Sequence, residues 1–304
     1  MLKNKILTLL CIWSSVLQCI EYTPQEIESF VSLLVWYDNK IILYSYLKSR
    51  NAYISIIRDM RNEKYLVKQK KGKSEKANLN HAILETVNSF MANELNIPCQ
   101  KVWLIPASLA LRGKEKATWA ASLHSYIKGQ EARERFALKE IFNIYKSKSS
   151  PVNLLRQVIF KLSKYPYLIR LFALDSFIGN HDRKEKNMIY VTQEDTCYAI
   201  DMGSSFNKDY AILIKDVIQK WIDSHVIFDT KEKAAIKVYK QALEDITLNF
   251  PPERLMQLCK SFFKAADTSF SENDILKTTY KMIIQNYEST LSLIKKLKVL
   301  IDTF

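Results

Sequence analysis

Glycine is scarce in this chain, with 5 among 304 residues. Few positions can therefore take a left-handed turn without strain, and the five glycines (72, 113, 129, 179 and 203) all read as turns. No GxGxxG run is present to bring a backbone loop close against a phosphate. Cysteine is also sparse: Cys11 and Cys19 fall near the start, and Cys99, Cys197 and Cys259 stand far apart. That spacing excludes a disulfide-stapled fold and a CxxC or Cys/His zinc site, and leaves the last three as buried thiols. Acidic residues are outnumbered, 32 against 45 Lys and Arg, for a formal net charge of +13. Such a surplus suits an acidic partner or an anionic membrane face without choosing between them, and no specific nucleic-acid signature accompanies it. No repeat or low-complexity linker breaks the chain. At 48% hydrophobic and 25% charged it reads as one large domain or two closely packed lobes.

Residues 1–20 differ from the rest. Lys3 and Lys5 precede the apolar run Ile6 to Trp13, which is too short to span a bilayer and resembles a secretory signal peptide. Val16 to Cys19 resembles a bacterial lipoprotein processing site, except that Gln18 is larger than the small residue expected before the cysteine. A buried first helix of the domain is an equal alternative. Export or delivery into a host would follow from the first, cytoplasmic residence from the second.

The chemistry is concentrated between Leu174 and Phe206, in LDSFIGNHDRKEKNMIYVTQEDTCYAIDMGSSF. Two polar clusters, GNHDRKEKN and IDMG, flank short apolar runs at 188–191 and 197–200, and the polar turn Thr192 to Thr196 between those runs predicts a β-hairpin. A hairpin returns Asp201 to the neighbourhood of Asp182 and Asn187, with Gly203 allowing a sharp turn just beyond. Phosphoryl transfer needs such a set: Asp182 to orient an acceptor hydroxyl, and Asn187 and Asp201 to offer oxygen ligands to magnesium. An isolated DR or DMG would carry almost no weight, and Asp182–Arg183 alone reads equally as a surface ion pair. The ordered combination carries the assignment.

This segment resembles the catalytic segment of atypical kinases with a protein-kinase-like fold, particularly HipA-type kinases and the phosphatidylinositol 3- and 4-kinase superfamily. Their comparable segments look like GNxDRHxxN, a hydrophobic hairpin and IDxG. The resemblance implies a bilobal α+β fold, ATP and Mg2+ as cofactors, Asp182 as the catalytic aspartate, and Asn187 and Asp201 as metal ligands. Lys184 stands where the pattern has His.

The N-terminal half fits a small β-rich lobe. Thr23 and Pro24 start a helix over 21–37, and 41–48, 53–58 and 65–69 read as three strands. The resemblance places the phosphate-binding lysine on Lys68 at the end of the third strand, with Lys70 its competitor. A helix over Asn80 to Leu95 comes next, with an apolar face of Ile83, Leu84, Val87, Phe90, Met91 and Leu95. Glu85 is the candidate to hold Lys68, and Glu94 the alternative. Ser49 to Ala52 replace the glycines of a typical nucleotide-covering loop, with Arg50 a candidate phosphate contact. Strands at 102–105 and 117–125 lead into a hinge near Leu123 to Tyr126, with His124 read as structural or exposed rather than as a metal ligand.

Helices dominate the C-terminal part of the chain: 131–145, 151–163, 166–177, 210–224, 230–246, 252–266 and 272–300. Ser204 to Asn207 reads as a substrate-side loop, and Lys295, Lys296 and Lys298 as a solvated face with a membrane surface as the alternative. The expected organisation is a leader at 1–20, a small lobe at 21–126 and a large lobe at 127–304. The expected activity is an ATP- and magnesium-dependent kinase, with a protein Ser/Thr substrate preferred over a lipid. A lipid kinase and a catalytically inactive pseudokinase are the alternatives.

Overall fold

The computed structural model describes residues 42–48, 52–58, 63–70, 74–105, 121–131, 164–180, 182–183, 185–206, 229–266 and 268–303. The predicted leader, the helices over 21–37, 151–163 and 210–224, all of the helix over 131–145 except Glu131, which is in a strand, the loops holding Arg50, Gly72 and Gly113, and Lys184 lie outside these residues, as does the side chain of Lys70. No helix among the described residues is long and apolar enough to cross a membrane.

Strands β1 (Ile42–Lys48), β2 (Ala52–Arg58) and β3 (Lys64–Lys70) form an antiparallel meander. Helix α1 (Glu75–Glu94) intervenes before β4 (Val102–Ile105) and β5 (Ala121–Ser125) complete a five-stranded sheet of order β1-β2-β3-β5-β4. The β3–β5 register sets Lys68 opposite Ser122 and Leu66 opposite His124. Directly opposed residues of an antiparallel pair project to the same face, so Lys68, Ser122 and His124 share one.

Helix α1 begins five residues earlier than its apolar face predicts. Ser74 takes extended backbone geometry and its Oγ accepts from the Ala77 amide, which caps the helix inside a lysine-rich stretch that reads as loop. Every residue from Ala82 to Ala92 is buried, the polar Glu85, Thr86, Asn88 and Ser89 included. The helix thus lies between the sheet and the helices α2 (Pro166–Ile178), α4 (Pro252–Ala265) and α5 (Glu272–Thr303), while α3 (Thr230–Asn249) packs behind α2. A continuous apolar core joins them, including Phe172 and Phe177 as expected.

Local sequence sets the helix ends. Pro166 occupies the first turn of α2, and Gly179 closes it at φ 65, the left-handed geometry glycine tolerates. Asp229 and Glu232 form a reciprocal capping box on α3.

The predicted hairpin is formed by β7 (Met188–Val191) and β8 (Thr196–Ala199), joined through a short 3-10 turn at Thr192–Glu194 and Asp195 in the left-handed region. With β6 (Gln130–Glu131) they make a second sheet of order β6-β7-β8. The outer edge of β8 is not left open. The Gln100 amide donates to the Ala199 carbonyl at 2.8 Å and the Ala199 amide to the Pro98 carbonyl at 3.0 Å, so the approach to β4 is stitched to the hairpin.

Candidate active site

Lys68 lies between two carboxylates. Its Nζ donates to Glu85 Oε1 at 3.0 Å and to Asp201 Oδ1 at 2.7 Å, bringing together β3, the middle of α1 and the segment after β8. Burial works against the charge on Lys68, but the Glu85 and Asp201 carboxylates outweigh it and hold the ammonium above the ordinary lysine range. Burial likewise opposes ionisation of Glu85, and Lys68, followed by His124 and His81, brings its carboxyl well below the usual range. Asp201 is shifted down as well, with Lys68 overriding its burial. Glu94, the alternative partner, is exposed near the end of α1.

Glu85 is held from several sides. Ser122 Oγ stands 3.1 Å from its Oε2 and 2.8 Å from His124 Nε2, and His81 Nδ1 approaches the same carboxylate oxygen at 3.7 Å. The amide of Gln100 braces the histidine from its other side: its Nε2 donates to the Ser125 carbonyl at 2.7 Å and its Oε1 faces His124 Nδ1 at 3.0 Å. Burial, against the attraction of Glu85, lowers the His124 pKa to about 4. A histidine lowered in the fold stabilises it fully above the unfolded value near 6.5 and loses that contribution as pH falls toward 4. Glu85, lowered from a carboxyl value, loses its contribution only in more acidic solution. Replacing His124 by Gln should therefore flatten the fall of the urea midpoint between pH 6.5 and pH 4. An unchanged slope across that interval would reject a neutral buried His124.

The second group is built by the turn after α2. Asn180 Oδ1 accepts from the Asp182 amide, and Asn187 Nδ2 donates to the Asp182 carbonyl at 2.7 Å and to its Oδ2 at 3.3 Å. Asn187 is buried and Asp182 half-buried. With its NH2 spent on Asp182, Asn187 has its amide oxygen left, whose lone pairs are of the kind a hard cation takes. The Ile200 amide donates to the Asn187 carbonyl at 3.0 Å, which ties the turn to the residue before Asp201. The Lys68 ammonium thus sits against Glu85 and Asp201, and Asn187 against Asp182, in two separate groups of contacts.

Arg183 does not pair with Asp182. Its guanidinium is buried and grips Asp175 of α2 with two hydrogen bonds, Nε to Oδ2 at 2.8 Å and Nη2 to Oδ1 at 3.0 Å. Its Nη1 donates to the carbonyls of Asn187 and Ile200 at 2.9 and 3.0 Å. The arginine thus joins the two polar clusters from beneath. Asp175, His81, Asn88, Gln100 and Ser122 were not among the sequence candidates; Asp175 lies one turn before GNHDR on a helix, the one spacing that could have flagged it.

Two expectations beyond Asp201 are corrected. Gly203 is not in the left-handed region; Asp201 itself is, at φ 55. Gly203 leaves room for the His81 ring, which would have to shift for a Cβ there, since that Cβ would stand 2.3 Å from it. Ser205 and Phe206 are buried, not part of an open substrate loop: Ser205 Oγ accepts from Asn88, and the Phe206 amide donates to the Ile178 carbonyl at 2.7 Å. Asn207 lies outside the described residues.

A cavity of about 400 Å³ lies elsewhere, lined by Asn93, Cys99, Lys101 and Tyr198 among others and by none of Lys68, Glu85, Asp182, Asn187 or Asp201. Burial pushes the Cys99 thiol up to about 12, which leaves it unreactive.

No family model matches the chain, and no curated protein matches it. Solved structures do. The Helicobacter pylori proinflammatory kinase CtkA aligns with a TM-score of 0.51 at 15% identity, over 84% of this chain and 95% of that one. The Rio2 kinase from Chaetomium thermophilum, in an ADP/Mg2+-phosphoaspartate complex, aligns at 0.39 and 13% identity over 86% and 75%. The Golgi casein kinase with Mn/ADP bound aligns at 0.45 and 12% identity over 89% and 76%. The likeness to CtkA shows the fold: a protein-kinase-like α+β architecture, with a small sheet region and a mainly helical part.

Proposed function

We propose that the chain is an ATP- and magnesium-dependent phosphotransferase that phosphorylates protein Ser/Thr hydroxyls. The observation that carries this is the bridging of Glu85 and Asp201 by Lys68, three residues from three separate elements meeting at one point. The fold shared with a solved kinase supports it, as does the GNxDRxxxN spacing that resembles HipA-type and phosphatidylinositol kinases. The small lobe would end near Tyr126 and the large lobe begin near Ile127.

In this assignment Lys68 turns its ammonium from Asp201 to the α- and β-phosphates, and Glu85 keeps it in the cleft. Asn187 and Asp201 would hold the metal, which neutralises charge on the transferring group. Asp182, half-buried and steadied by Asn187, accepts a hydrogen bond from the acceptor hydroxyl and aims its oxygen at the γ-phosphorus.

The test is titration of the folded protein with ADP, with and without Mg2+. Binding that strengthens with the metal, and loses the strengthening in Asp201→Ala, is the expected result. Incubation with γ-labelled ATP and separate protein and lipid pools then identifies the acceptor: labelled protein supports the proposal, labelled lipid replaces its substrate, and binding without transfer to either marks a pseudokinase. No nucleotide binding with magnesium or manganese would overturn it.

A further inference from the structure

Three polar residues on one face of α1, at the spacing i, i+4, i+7, meet the segment that begins at Asp201. His81 lies against Gly203, Glu85 reaches Asp201 through Lys68, and Asn88 donates from Nδ2 to the Met202 carbonyl at 2.8 Å and to Ser205 Oγ at 2.6 Å. Asn88 is fully buried. The segment it holds is strained at both ends, with Asp201 at φ 55 and Phe206 at φ 49, neither of them glycine. Such backbone persists only where surrounding contacts over-determine it. The Ile178 carbonyl fixes the far end by accepting from the Phe206 amide, and the Asn88 amide fixes the middle.

The other end of the same side chain shows what the amide is kept for. Asn88 Oδ1 is buried with no hydrogen-bond partner among the described residues, an arrangement that an apolar residue of similar volume would avoid. Its NH2, by contrast, satisfies two acceptors at once.

We propose that Asn88 is a positioning residue for Asp201, its NH2 group holding the Met202 carbonyl and Ser205 hydroxyl so that the strained aspartate presents its carboxylate to the metal. The proposal rests on the assignment of Asp201 as a magnesium ligand. It adds that α1 and the metal-binding segment form one keyed unit, so that the helix carrying Glu85 cannot turn away without taking the hold on Asp201 with it.

Outer partners of a metal ligand typically change metal affinity by roughly 10–100-fold. With ADP as the probe, Asn88→Ala should raise the half-saturating Mg2+ concentration by about tenfold and leave affinity for metal-free ADP unchanged. Ser205→Ala, which keeps the bond to Met202, should give a smaller rise in the same direction, and the double variant should be no worse than Asn88→Ala. Amide hydrogen exchange at 202–206 should quicken in Asn88→Ala without ligand. A purely structural asparagine would lower thermal stability without separating the two affinities. Wild-type magnesium dependence in a folded Asn88→Ala overturns the proposal; if that variant fails to fold, wild-type magnesium dependence in Ser205→Ala does so. If the unaltered protein binds no magnesium nucleotide, the assignment of the site fails, and the hold is judged by exchange: quicker exchange at 202–206 supports it and unchanged exchange overturns it.

Discussion

Replacing Asp182 by Asn should leave magnesium-dependent nucleotide binding near its original strength and reduce phosphoryl transfer by about 10²–10⁴-fold, the range a positioned acid–base group contributes. The two effects separate because Asp182 makes no hydrogen bond or ion pair with Lys68 or Asp201; its side chain meets Asn187 Nδ2, and its backbone is held by Asn180 and Asn187. An asparagine at 182 keeps the volume and a carbonyl oxygen toward Asn187. It loses the negative charge that steers a hydroxyl hydrogen, so the acceptor is still admitted but no longer aimed. Single-turnover transfer, measured alongside ADP binding, gives both quantities. A variant that transfers at the original rate would remove Asp182 from the chemistry, and one that loses nucleotide binding as well would make it part of the metal site.

Arg183→Met should destabilise the fold by about 3–5 kcal/mol, the cost of breaking a buried ion pair from one side. Arg183 is 5% exposed and Asp175 fully buried, so the deserted carboxylate has no water to turn to. Asn180 Nδ2 would remain on Asp175 Oδ1 at 2.7 Å, one neutral donor in place of a guanidinium. The carbonyls of Asn187 and Ile200 would lose a donor at the same time, the first belonging to one proposed metal ligand and the second to the residue before the other. Urea denaturation measures the loss. The pair of substitutions Arg183→Met and Asp175→Leu should recover a substantial part of it, because no charge is then stranded. A loss below about 1 kcal/mol in the single variant would mean that water reaches Asp175, contrary to its burial.

Much of the site was legible because its residues sit at chemically meaningful spacings. Asp182, Asn187 and Asp201 could be named from the two clusters and the hairpin between them, and the structure sets Asn187 against Asp182 and joins Asn187 to Ile200. Lys68 and Glu85 could be named as candidates from the resemblance to atypical kinases together with the order strand then helix. What could not be read is the polar side of α1. Asn88 and Ser89 between apolar neighbours look like a solvated stripe, because periodicity records where apolar residues fall and not what covers the others. Both are buried against partners more than ten positions away. The left-handed residue was misplaced for a related reason. Local preference assigns such geometry to Gly203, whereas contacts from Lys68 and Asn88 hold Asp201 in it and the His81 ring claims the space a Cβ would need. The start of α1 was missed because Ser74 is surrounded by lysines, and a single capping hydroxyl is a weak signal against a run of charge.

The two hydrogen bonds that Ala199 makes to Pro98 and Gln100 define a line across the molecule. A relative movement of the two sheets that leaves those bonds intact would pivot about that line, as covers turn about the spine of a book. Displacement in such a rotation grows with distance from the axis. Asp201, two residues beyond Ala199, rides on a short lever arm and moves least, while the β1–β2 edge, at the opposite side of the five-stranded sheet from β4, sweeps furthest. On the proposed function, a nucleotide would enter and leave past that outer edge, with its metal-binding end beside the axis.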